Sequence, residues 1–255
     1  MAIGIRTIVI GFTVGFFAIL IDILLLRKYQ QRKKSATLTL TAAIFSFGLA
    51  AISLAVFALL TELKVSKYGL NFVGINIGYI FTMVADIAIF NFTLQIFVPR
   101  DKWIKLVYSI CGGVVIGLIL PDVVPLSSGG FQDEELLREI IESETNLWKL
   151  IILLVLTFIA FTTLLVFALR ETRKADLTWE KRGFQFIALF AFVGILVYLF
   201  LVLDSFLDQI LIKKTQILYH VGLSLTVVDF IFAYLGYIYP PWLRNLFREK
   251  PSNSL

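Results

Sequence analysis

Cysteine and histidine are nearly missing from this chain of 255 residues: Cys111 and His220 are the only ones. A lone cysteine excludes an intrachain disulfide. Its place in an apolar segment predicts a buried thiol that packs as a small hydrophobe. A lone histidine excludes every site that needs two or more, the usual hydrolytic zinc centres among them. Charge is sparse too, at 16% of residues. The sequence holds no glycine-rich phosphate loop, no grouping of a nucleophile with a base and no metal-ligand cluster. Enzymatic activity, a metal and a cofactor are therefore not expected.

What is present is apolar. Hydrophobic residues make up 59% of the chain and the mean hydropathy is +0.89, more than one soluble core can hide. The net charge of +5 does not gather into a patch that would grip nucleic acid. Lysine and arginine lie in short runs between apolar segments, as topology signals do, so the expected partner is the lipid bilayer.

A membrane span needs about 20 apolar residues. Seven segments qualify: 5–26, 37–61, 70–98, 103–120, 147–169, 183–203 and 216–239. The expected fold is all-α, an integral membrane bundle of seven transmembrane helices over residues 1–243, multi-pass in the cell membrane. The first segment is long enough to span and ends in RKYQQRKKS, which suits a stop-transfer anchor better than a cleaved signal. The third is long enough to tilt or to project past the bilayer. Pro99, Pro121 and Pro240 fall at span ends, where they cost little helix. The Asn91-Phe92-Thr93 triplet lies inside a span and is not expected to carry a glycan.

Basic residues set the orientation. Arg27, Lys28, Arg32, Lys33 and Lys34 fall on one side, together with Arg100, Lys102, Lys105, Arg170, Arg173, Lys174, Lys181, Arg182, Arg244, Arg248 and Lys250. Fewer fall on the other: Arg6, Lys64, Lys67, Arg138, Lys149, Lys213 and Lys214. This bias places the N-terminus outside and the C-terminus, with a basic tail at 244–255, in the cytoplasm. The loop at 121–146 is then external and acidic. Its stretch FQDEELLREIIESET sets Leu136, Leu137, Ile140 and Ile141 on one face of a short helix. That helix is either a solvated cap or a lid and docking face for a cation or basic partner.

Seven spans also divide as three, one and three, the logic of a parallel repeat. A shift of 143 residues places Arg27 on Arg170 and Asp86 on Asp229. Both aspartates are followed by proline, tryptophan and a basic residue: Pro99, Trp103 and Lys105, then Pro240, Trp242 and Arg244.

Glycine pairs at GxxxG spacing let helices approach: Gly11 with Gly15, Gly74 with Gly78, and Gly113 with Gly117. In the last span Gly222, Thr226, Asp229, Ala233 and Gly236 share a face of small residues. Asp229 should therefore point into the bundle. Asp86 shares a face with Tyr79 and, more loosely, with Asn76 and Thr93. A charge at mid-bilayer costs about 2.5–3.5 kcal/mol on insertion scales. Each aspartate is therefore either a structural link to a neighbouring helix or part of an internal site for an ion, a proton or a polar ligand group. The binding candidates are Asp86, Asp229, Asn76, Tyr79 and Thr226. Asp22, one turn from Arg27, is expected at the cytoplasmic interface. Asp204, Asp208 and His220 are expected at the outer one.

Seven spans with an external N-terminus and short loops resemble the microbial rhodopsins and the G-protein-coupled receptors, in topology over the whole chain. The rhodopsin resemblance would imply a retinal lysine four residues after the last-span aspartate. Ala233 stands there, and that span has no lysine, so covalent retinal is not expected. The receptors' arginine motif at the end of span 3 is replaced by FVPRDKW. The layout also looks like the membrane sensor regions that precede prokaryotic signalling kinases, with PPWLRNLFREK as the basic juxtamembrane segment. Three-plus-one-plus-three sugar transporters share the topology, but their proline-glutamine signature is missing. The resemblance implies a receptor-like or sensor protein with an outward-facing pocket, a small apolar or lipid-like ligand and a cytoplasmic signalling partner. The alternative is a small transporter or ion- or proton-conducting protein built on the repeat.

Overall fold

The computed structural model describes residues 2–63, 70–99, 101–123, 147–210, 217–240 and 243. Among them are seven long helices: α1 (Ala2–Arg32), α2 (Ser35–Glu62), α3 (Leu70–Phe97), α4 (Lys102–Ile119), α5 (Leu147–Lys174), α6 (Thr178–Ile210) and α7 (Ile217–Ile238). All seven are long and apolar enough to cross a membrane. No strand occurs among the described residues. The expected acidic helix in 121–146 and the basic tail at 244–255 fall on residues outside those described, apart from the short 3₁₀ turn Leu120–Asp122 that follows α4.

Several helices outrun the apolar segments that define them. α6 has 33 residues, about 50 Å at 1.5 Å per residue, against a hydrocarbon core of about 30 Å. Its ends therefore stand beyond the apolar layer. Helix stops follow local chemistry. Tyr239 takes a left-handed φ of 44°, its N–H donates to Leu235 O at 3.0 Å, and Pro240 ends α7. Lys33 does the same for α1, with φ 50° and its N–H on Tyr29 O at 2.6 Å.

Six helices form a closed ring: α1 packs on α2, α2 on α3, α3 on α5, α5 on α6, α6 on α7 and α7 back on α1. α4 stands outside, against α3 and α5. Large apolar side chains such as Phe16, Phe45, Val107, Val114, Val155 and Val166 cover the outer surface, as a lipid-facing surface requires.

Close approach explains most of the ring's glycines. A Cβ on Gly11 would lie 2.8 Å from both Ala51 O and Ala55 Cβ, and one on Gly15 would strike Ile52. Gly74 is held against Phe57, and Gly78 has ordinary contacts with Leu54 and Ser53. Between α6 and α7, a Cβ on Gly222 would come 3.2 Å from Val197 O, and one on Gly236 would come 2.7 Å from Ile187 N. Gly113 and Gly117 differ. Nothing lies within 4 Å of a Cβ at either, so the expected packing pair in α4 is not one. The inward glycine is Gly112, against Ile87 and Met83. One residue turns a helix by about 100°, so a neighbour of the motif, and not the motif, meets α3. Cys111 on the same helix is exposed, not buried as expected.

Near the middle of the bundle the core is aromatic. Phe161 of α5 lies 6.3 Å from Phe47, 5.8 Å from Phe190 and 6.0 Å from Tyr198, ring centre to ring centre, and Phe47 lies 6.5 Å from Phe230. Toward the Lys33–Lys34 end, Thr37 and Tyr237 share a hydrogen bond of 2.9 Å, and Thr39 donates to Gln95 at 3.1 Å.

Candidate ligand cavity

Helices that close a ring without filling it leave space inside. Here it is a cavity of about 500 Å³, within the range of small-molecule sites. α4 contributes nothing to its wall. The first half of α1, the last half of α2, the first halves of α3, α5 and α7 and the last half of α6 do, together with Phe47, Phe161 and Asp229 just past the middle of α2, α5 and α7. These halves belong to the end of the bundle that carries the N-terminus. Gly4, Glu62, Asp204 and Tyr219 line its N-terminal end, and Phe47, Phe161 and Asp229 line its mid-bundle end, at the level of the aromatic layer.

Asp229 is buried, 3% exposed. Its carboxyl takes a hydrogen bond from the Gly194 backbone, while Oδ1 has no partner. Gly194 makes that contact possible: a Cβ there would enter the Phe161 ring, so any side chain would hold α6 away. The small-residue face is inward. Gly222, Ala233 and Gly236 are buried with Asp229. Thr226 lines the cavity and donates its hydroxyl to Gly222 O at 3.3 Å.

Asp86 is placed differently. It is fully buried, at 0% exposure, and does not line the cavity. Thr157 of α5 donates to its Oδ2 at 2.5 Å, so the pair ties α3 to α5, and its Oδ1 is unpartnered. Tyr198 of α6 lies within electrostatic reach of both carboxyls and shares a hydrogen bond with Thr82. Of the other candidates, Tyr79 lines the cavity and Asn76 is buried in α3 outside it. The cavity thus brings together Asp229, Thr226 and Tyr79, and leaves Asp86 and Asn76 behind its wall.

Several polar groups were not legible as site residues. Glu62 lies over the start of α1, where a Cβ on Gly4 would meet its carboxylate. Asp204, expected at the interface, is buried, and its Oδ1 accepts from Leu218 N at 3.0 Å. It caps the N-terminus of α7 as a residue from a different helix. His220, also expected at the interface, is buried at the α1–α7 contact, its Nε2 3.3 Å from Thr7 Oγ1. Asp22, expected to reach the cytoplasmic interface, is 4% exposed, and both its oxygens lack a hydrogen-bond partner. Thr157 and Tyr198 carry no charge, and only the helix arrangement shows that they face the aspartates. Among the described residues no group of three or more His, Cys, Asp and Glu stands ready for a metal.

In comparisons of the chain with protein-family models, with curated proteins and with solved structures, nothing matches.

Proposed function

We propose that this multi-pass protein is a receptor-like or sensor protein of the cell membrane whose ligand occupies the ring cavity from the outer face. One observation supports this: the cavity is lined by residues from the N-terminal end of the bundle down to Phe47, Phe161 and the buried Asp229 at mid-bundle, where the aromatic layer lies. The basic clusters at the opposite end favour an outward mouth. A pocket that is mostly apolar with a few fixed polar groups suits a small apolar or lipid-like ligand. The helix ends beyond the aromatic layer, linked by Thr37 and Tyr237, are where occupancy would be passed to a cytoplasmic signalling partner.

A second reading has its own support. α4 stands outside a ring made of two triplets, α1–α3 and α5–α7, as a three-plus-one-plus-three transporter or ion- or proton-conducting protein would have it. Flux into proteoliposomes separates the two. The receptor reading predicts that the wild-type protein moves neither protons nor sodium faster than empty vesicles. Flux that disappears in Asp229→Asn or Asp86→Asn would replace it with the transporter reading.

A further inference from the structure

The receptor reading leaves the ligand's chemistry open, and the cavity wall narrows it. We infer that the cavity takes an apolar organic amine, its ammonium group set against Asp229. The inference rests on the receptor reading and adds the ligand class to it.

Three carboxyl groups line the cavity, Glu62, Asp204 and Asp229, and no lysine or arginine does among the described residues. Asp204 is committed to capping α7, and Glu62 lies against Gly4 at the N-terminal end. That leaves Asp229, nine-tenths buried or more and part of the cavity wall, as the carboxyl with an oxygen that has no hydrogen-bond partner. A carboxylate held in a low-dielectric interior without a counter-charge is costly, and a cation that also hydrogen-bonds its unpartnered oxygen repays part of that cost. Phe161 and Tyr198 line the same depth, and aromatic faces add attraction for an ammonium group. A bare calcium or magnesium ion fits poorly, because each wants six or more oxygen ligands and the remaining wall is largely apolar. The apolar wall suits the body of an organic amine, and the cavity's volume suits a molecule of drug size.

The test uses the full chain purified in detergent and three probes of one shape: naphthylethylamine, naphthylethanol and naphthylacetate. Thermal unfolding is followed at increasing probe concentration. The amine is expected to raise Tm by about 4 °C at roughly ten times its Kd, the alcohol by much less and the carboxylate not at all. The rise disappears in Asp229→Asn, which keeps the side chain's shape, and persists in Asp101→Asn, an exposed carboxyl away from the cavity. Thr226→Phe, which fills the space beside Asp229 without altering the carboxyl, is the second variant and also abolishes it. Equal stabilisation by amine and alcohol would overturn the amine but leave a ligand-binding receptor. A rise that survives Asp229→Asn would overturn the role of that carboxyl. No stabilisation by any probe would overturn the inference outright. Failure of the receptor reading itself shows separately, as flux in proteoliposomes.

Discussion

Phe161→Ala is expected to destabilise the protein by about 3 kcal/mol, the low end of the cost of truncating a buried aromatic ring. The low end applies because lipid, not water, is the alternative surrounding of a membrane helix, so lost packing dominates over lost apolar transfer. Phe161 is fully buried, and its ring touches three other aromatic rings from α2 and α6. Such pairs contribute about 0.5–1.5 kcal/mol each beyond their burial. The neighbouring backbone at Gly194 has no Cβ to close the hole. Unfolding in detergent, compared with Phe16→Ala on the outer surface, checks the size. The Phe16 variant should lie within about 0.5 kcal/mol of wild type. Equal losses from the two would mean that the aromatic layer does not hold the ring together.

Gly236→Ala is expected to cost about 1–3 kcal/mol, and Gly117→Ala nothing or less than nothing. The added methyl at 236 would stand 2.7 Å from Ile187 N and 3.1 Å from Phe186 C. Backbone atoms cannot rotate away as a side-chain tip can, so α6 and α7 must separate, with the strain that overpacking brings. Gly117 has open space beside it. Alanine there removes glycine's conformational cost, about 0.5–1 kcal/mol in a helix interior. Thermal melts of the two variants side by side give the sign of each. A loss at Gly117 matching that at Gly236 would place the α4 pair in a contact after all.

Those two glycines show what the sequence carried and what it did not. GxxxG spacing says that a backbone can be approached, but not which face is approached. Gly11, Gly15 and Gly236 meet neighbours, while Gly113 and Gly117 face outward and Gly112 does the packing. The seven helices were legible because apolar length and basic clusters are properties of the chain alone. Asp229 was legible as inward because Gly222, Ala233 and Gly236 share its face, and that face is buried. The division of labour between the aspartates was not. Asp86 is tied to Thr157, 71 residues away, and His220 meets Thr7 across 213. Such pairs depend on ring closure, which no local pattern encodes. Asp22 and Asp204 misled for a related reason. Being near a span's end suggests the interface, yet one faces the core and the other caps a neighbouring helix.

A receptor of this kind needs a cavity open at one end only. Its most direct measurement is modification of Thr226→Cys, in a Cys111→Ser background, by a cationic thiol reagent that cannot cross membranes. The protein would be reconstituted with the side of its N-terminus established by a tag. Modification is expected from the N-terminal side alone, slowed in the presence of naphthylethylamine. Modification from the opposite side, or from neither, would contradict it.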